Sequence, residues 1–332
     1  MILAGDIGGT NARLAYFQPQ NGDLRLVKEC IFPSRDYSGL GDIVSKFLKD
    51  SAIHPEAACF GIAGPVHGGR VETSNLPWII EQSLLAKQTQ LPATLLINDL
   101  EASAWGVGGL ASQDLTPLNS VAQSVGNQAV IAPGTGLEEA GMFWNGSQHE
   151  VFASEGGHAD FAPQGALQIE LLEFLAIRFG HVSYERILSG PGLVNVYEFL
   201  QQRNGGETSA ALAAKGGNGD AAAAISRAAL NGTSRLAEES LDLWITVFGA
   251  EAGNLALKTM ATGGIFLGGG ISPKILPRLS GPLFMRAFLE KGRLRPLLES
   301  IPVKVVTNDK AGLLGAARCA AAKSRTGQAV TS

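Results

Sequence analysis

Cysteine is scarce: three residues in 332, at Cys30, Cys59 and Cys319, far apart along the chain. No pair has the spacing of a zinc ligand set or a redox motif, and the odd number argues against a disulfide framework. Each is expected to be a small buried apolar side chain. Basic clusters are also missing. Lys and Arg total 26 against 30 Asp and Glu, a net charge of −4, which argues against a nucleic-acid groove or an anionic membrane surface. No apolar stretch is long enough to cross a bilayer, and the best run, Ile265-Phe266-Leu267, is soon broken by glycines. No basic segment precedes the first apolar run, so no secretory signal is expected and the chain reads as cytoplasmic. The triplets Asn145-Gly146-Ser147 and Asn231-Gly232-Thr233 then carry no weight as glycosylation sites. Neither a Walker A pattern nor a protein-kinase signature occurs.

What is present is an ordinary hydrophobic share, 45%, over a length that suits about two domains. The start is the most informative part. Ile2-Leu3-Ala4-Gly5-Asp6-Ile7 enters, Gly8-Gly9-Thr10-Asn11 interrupts, and Ala12–Phe17 leaves, which predicts two antiparallel strands and a tight loop. Gly8 and Gly9 let a ligand approach the backbone and permit positive φ. Thr10, Asn11 and the loop amides are donors, so the loop is either a polar hairpin tip or an anion nest. Asp6 would repel an anion unless a cation lies between them. Apolar runs at 59–63 and 94–97 alternate with helical spacing over 38–50 and 80–90, an α/β pattern. A second strand–turn–strand, Ala129–Leu137 into Ala140–Trp144, repeats the first in layout around Gly134-Thr135-Gly136. From 165 to 260 the pattern is helical, with a glycine break at Gly216, Gly217 and Gly219 and a long helix expected over 233–259. A glycine-flanked strand within 263–270, a late strand over 303–306, a helix over 311–322 and a frayed tail complete the chain.

Several polar residues stand where chemistry is done. Asn98-Asp99 follows the strand 94–97. It could present a base and a hydrogen-bonding amide beyond the strand's carboxyl end, or cap a helix. Glu155-Gly156-Gly157-His158 offers the carboxylate and imidazole that polyol recognition needs, or a glycine turn flanked by solvated side chains. Glu185 stands at a helix start, where an acid complements the dipole. The glycines around 263–270, Gly268 and Gly269 among them, permit close approach of a nucleotide or mark a bend.

The order of these pieces resembles the sugar kinases of the actin-like, ribonuclease H-like ATPase superfamily, and most closely the bacterial ATP-dependent glucokinases. The resemblance is carried by Gly5–Leu14, Glu155–Pro163, His181-Val182-Ser183 with Glu185-Arg186, Leu188–Leu193 and Gly312-Leu313-Leu314-Gly315, and it covers nearly the whole chain. It implies a two-lobed α/β fold of mixed sheets with helices and an active-site cleft between the lobes. One lobe would be 1–110 plus 308–325, the other 111–307, with a flexible tail over 326–332. It implies transfer of the γ-phosphoryl group of Mg-ATP to the 6-hydroxyl of glucose. Asp99 would be the base, and Asn98, Glu155, His158 and Glu185 would hold the other hydroxyls. Gly8, Gly9, Thr10, Asn11, Gly134, Thr135 and Gly136 would line the phosphates, Gly268 and Gly269 would lie near the adenosine, and Asp6 would face the magnesium indirectly. It also implies a homodimer. The hydroxyl-binding set would suit another hexose or an N-acetylated hexosamine, and a sugar sensor without catalysis is a further alternative, against which Asp6 and Asp99 stand. One departure is Glu138, where the family has glycine after Gly-Thr-Gly-Leu; an acid there is expected to weaken ATP binding. No Cys/His zinc motif of the related repressor-and-sugar-kinase group occurs.

Overall fold

A computed structural model describes residues 1–20, 23–51, 53–73, 76–205 and 220–326. The glycine break expected at Gly216, Gly217 and Gly219, and the tail beyond Thr326, lie outside the described residues. The chain divides into two units, Met1–Asp114 with Asn308–Ser332, and Leu115–Thr307.

In the first unit the strands are β1 (Ile2–Ile7), β2 (Asn11–Gln20), β3 (Asp23–Pro33) and β4 (Ala57–Ile62). A small antiparallel sheet follows, β5 (Val66–His67), β6 (Arg70–Glu72) and β7 (Ile79–Glu81), and then β8 (Thr94–Asn98). The main sheet runs β3-β2-β1-β4-β8; β1 and β2 form the expected antiparallel hairpin, while β1, β4 and β8 are parallel. Helices α1 (Leu40–Lys49), α2 (Gln82–Thr89) and α3 (Asp99–Val107) complete this part. As a central strand β1 is covered on both faces, which is why its sequence is apolar apart from Asp6. Leu3 and Ile7 enter one core with Leu14, Phe47 and Phe60. Ile2 and Ala4 enter the other with Ile97, Leu313 and Ala317. The period of two therefore puts Asp6 on the second face, which the helix Ala311–Thr326 covers. That helix meets α3 at backbone distance: a Cβ at Gly315 would collide with the Ala102 carbonyl, and one at Gly106 with the Ala311 carbonyl. Cys59 and Cys319 are buried neighbouring thiols here, and Cys30 is half-buried.

The second unit holds β9 (Leu115–Pro117), β10 (Gln128–Pro133), β11 (Leu137–Trp144), β12 (His149–Ser154), β13 (Gly264–Leu267) and β14 (Val303–Val306), in the order β12-β11-β10-β13-β14-β9. The first five repeat the order of the first sheet, three successive antiparallel strands followed by two parallel ones. The layout seen in the two hairpins thus extends to whole sheets. β9 is the added edge, antiparallel to β14, so the second unit begins at Leu115. Helices α4 (Gly165–Phe179), α5 (Gly190–Arg203), α6 (Asp220–Leu230) and α7 (Arg235–Thr259) follow. α7 starts just after Ser234, whose side chain accepts from the Ala237 amide and supplies the cap. Its buried face carries Trp244 and Phe248, which continue edge-on into Phe284 at 5.3 Å.

Candidate active site

Two groups of the expected residues come together, one in each unit. In the first, the hairpin loop closes through the Gly8 amide to the Asn11 carbonyl at 3.0 Å. Ser34 fastens it from the side, its hydroxyl donating to the Gly8 carbonyl at 2.8 Å and its amide to the Thr10 carbonyl at 2.9 Å. Neither Gly8 nor Gly9 uses a positive φ, contrary to the freedom expected of them. What counts at Gly8 is the missing side chain, since a Cβ would press on the Asn11 carbonyl at 3.3 Å. Thr10 and Asn11 are exposed at the tip.

Asp6 sits below this loop, paired in register with Arg13. The first turn of the helix Ala311–Thr326 lies beside it: a Cβ at Gly312 would stand 3.7 Å from its Oδ2. Burial raises the proton affinity of Asp6, Arg13 lowers it and Asp309 raises it again. No motif announced Asp309, whose charge acts on Asp6, or Ser103, which lies with Asp6 against Gly312; the packing of the C-terminal helix and α3 brings them there.

Asn98 and Asp99 end β8 and begin α3. Asn98 is the N-cap, its Oδ1 accepting from the Leu100 amide at 2.7 Å and the Glu101 amide at 3.1 Å. That is the capping alternative, and it commits this oxygen; the amide nitrogen reaches the Gly64 carbonyl at 3.5 Å. Asp99 occupies the first helical position, its Oδ1 accepting from the Leu100 amide at 3.1 Å. Burial pushes its carboxyl up to about 6, and the neighbouring Asp6 charge adds to the shift. A strand that ends in a cap thus places two acids close enough to feel each other.

In the second unit the hub is Leu137, the first residue of β11. Its amide donates to Glu185 Oε2 at 3.1 Å, and Glu185 also lies against Gly136, where a Cβ would collide with the carboxylate. The Leu137 carbonyl lies against Gly157, whose Cβ would collide with it. The turn Gly134–Gly136 is tied internally from the Gly134 amide to the Gly136 carbonyl at 2.8 Å, and to the start of α5 from the Gly190 amide to the Gly134 carbonyl at 2.9 Å. Ser189 caps α5 and donates to the Glu185 carbonyl at 2.8 Å. Three distant motifs, Gly134–Gly136, Glu155–His158 and Glu185, are therefore fastened to a few backbone atoms. Glu155 and His158 are exposed, either side of the buried Gly157.

Gly268 prolongs β13 by donating to the Ile131 carbonyl at 2.9 Å. Gly269 has φ +75, and a Cβ there would collide with the Pro133 carbonyl. The close approach that these glycines permit is thus first to the protein's own backbone, just before Gly134. Glu138 pairs in register with Ala132 and points to the face opposite Glu139.

Among the described residues no cluster of three or more His, Cys, Asp or Glu could hold a metal, and no helix is long and apolar enough to cross a membrane.

Comparison with known proteins matches residues 3–323 to the family model described as Glucokinase. The glucokinase of Trichormus variabilis is 42% identical over 338 residues, covering 97% of this chain and 99% of its own. The crystal structure of a glucokinase from an Antarctic psychrotroph superposes with TM-score 0.87 at 32% identity, over 97% of this chain and 98% of that one. A ROK-family glucokinase from Streptomyces griseus, at TM-score 0.64 and 23% identity over 97% of this chain and 99% of its own, shares the fold. The fold is that of the actin-like ATPase sugar kinases.

Proposed function

This chain belongs to the glucokinase family and phosphorylates glucose with ATP, and we propose that Asp99 is the base that receives the proton of the attacking 6-hydroxyl. The observation that carries this reading is the place of Asp99, half-buried at the junction of β8 and α3 beside Asp6, where burial and the charge of Asp6 raise its carboxyl to about 6. An ordinary exposed aspartate has too little proton affinity to take a proton from an alcohol as the new bond forms; a raised one is better matched near neutral pH. Accepting the hydroxyl hydrogen bond also orients the nucleophile before transfer, and phosphoryl transfer depends chiefly on positioning and charge neutralisation.

The remaining assignments follow from the donor and acceptor chemistry. Glu155, His158 and Glu185 hold the other hydroxyls, with Glu185 fixed by the Leu137 amide. Asn98 contributes its amide nitrogen, because its oxygen is spent on the cap. Gly8, Gly9, Thr10 and Asn11 in the first loop and Gly134, Thr135 and Gly136 in the second line the phosphates, and Gly268 and Gly269 lie near the adenosine.

The acids of the first unit fit a magnesium ion. Asp6 is a hard oxygen donor whose charge is disfavoured by burial and by Asp309, so a cation nearby would relieve it. Magnesium typically keeps several waters and leans on substrate phosphates, so one or two carboxylates suffice to hold it. Asp6 would hold it indirectly, and when bound it supplies charge neutralisation on the phosphates.

Asp99→Ala tests the assignment. A coupled assay of ADP release is expected to lose at least about a hundredfold in kcat, while calorimetry still detects glucose binding. In the unaltered enzyme, kcat/KM for glucose is expected to fall as pH drops through about 6, since the base acts only when ionised. Turnover retained in Asp99→Ala removes Asp99 from the role.

A further inference from the structure

Beneath the loops of the second unit lies a group of charged side chains that the reaction does not use. Glu139 on β11 is 1% exposed and Glu251 on α7 is 0% exposed. The Oε1 of Glu139 is fully buried with no ordinary donor to satisfy it, and the side chain faces the carboxylate of Glu251. Two ionised carboxylates cannot bond to each other, whereas one proton between them satisfies both. Glu251 already accepts from Asn254 Nδ2 at 2.8 Å and from Lys258 Nζ at 3.2 Å, so the shared proton is placed on Glu139. Burial and the charge of Glu251 push Glu139 up to about 8, with Lys258 pulling the other way. Tyr184 completes the group. Its hydroxyl accepts from Asn254 Nδ2 at 3.0 Å and faces Glu251, and Lys291 braces Asn254 from behind through Oδ1 at 2.6 Å.

This network touches both sugar-facing segments. Gly156, inside the Glu155–His158 turn, lies so close to Glu139 that a Cβ would collide with its carboxyl oxygen. Tyr184 is the residue before Glu185. We propose that the hydrogen-bonded Glu139–Glu251 pair is a positioning element that sets the Glu155–His158 turn and the Glu185 segment for the sugar. The proposal rests on the reading that those residues bind glucose. It gives a part to an acid next to Glu138 that never touches substrate. Loss of the proton from Glu139 would place two charges side by side beneath the turn and displace it.

Steady-state kinetics of the full chain with glucose varied at saturating ATP tests this. Glu139→Leu removes the bond and is expected to raise KM for glucose about tenfold with kcat changed far less. Glu139→Gln keeps a donor toward Glu251 and is expected to restore KM at neutral pH. The unaltered enzyme should show KM for glucose rising above about pH 8, and Glu139→Gln should abolish that rise because its amide does not titrate. A KM unchanged in a folded Glu139→Leu, or an alkaline rise that persists in Glu139→Gln, overturns the proposal. If Glu139→Leu does not fold, the pH comparison with Glu139→Gln decides alone. Glu155→Ala is measured alongside. If its KM for glucose is unaltered, the sugar-binding reading itself fails; if its KM rises while that of Glu139→Leu does not, only the positioning role is lost.

Discussion

At the scale of the residue, the chemistry turns on how much proton affinity burial gives an acid. Asp6 and Asp99 lie close together and both are shifted upward, so they titrate as a pair. Holding a proton that the unfolded chain would release has a stability cost. The sign follows from the raised value: the contribution of Asp99 is fully present below its ordinary 3.8 and is lost as pH rises toward about 6. The raised proton affinity of the proposed base therefore costs stability at neutral pH. Glu138 is the other informative residue. Its strand pairs with the end of β10 just before the Gly134 turn, so its charge stands near the segment assigned to phosphate. Glu138→Gly is expected to lower the Michaelis constant for ATP a fewfold, about what one partly screened like charge exerts. An unchanged or higher value would show that Glu138 does not oppose the nucleotide.

At the scale of the element, legibility followed burial. β1, β4 and β10 are covered on both faces and announce themselves as apolar runs. β3 does not. It is an edge strand whose leucines alternate with charged residues and whose side chains are mostly exposed or half-buried, so composition marks it as neither strand nor helix. β5 to β7 and β9 are too short to show a period. The short helices Leu276–Leu279, Pro282–Leu289 and Arg295–Glu299 each have proline in the first turn, a start signal easily taken for a loop. The contact of α3 with the helix Ala311–Thr326 is decided by Gly106 and Gly315. Gly315→Ala is expected to destabilise the first unit by about 1–3 kcal/mol through overpacking against backbone that cannot yield. A lowered melting temperature in calorimetry checks it, and an unchanged one would mean that the helix shifts without cost. Because Gly312 of the same helix flanks Asp6, part of the damage should appear as lost activity.

At the scale of the whole molecule, the repeated strand order of the two sheets accounts for the twin glycine turns: each sheet ends its first hairpin in a loop of small residues. The chain mass is 34.6 kDa, and light scattering on a sizing column is expected to give twice that value, the homodimer that the resemblance implies; a single-chain mass would exclude it. Local pattern was enough to establish the α/β alternation, the two hairpins, the motif order that identifies the family, and the candidate acids Asp6, Asp99, Glu155 and Glu185, because strand period and glycine turns are written in consecutive residues. What packing alone decided was which of these meet. Leu137 joins three motifs through its amide and carbonyl, atoms that no side-chain code records. Asn98 commits its oxygen to a cap, and Glu139 finds Glu251 from 112 residues away. Proton affinity depends on burial and on neighbouring charge, and both are set by residues distant in the chain.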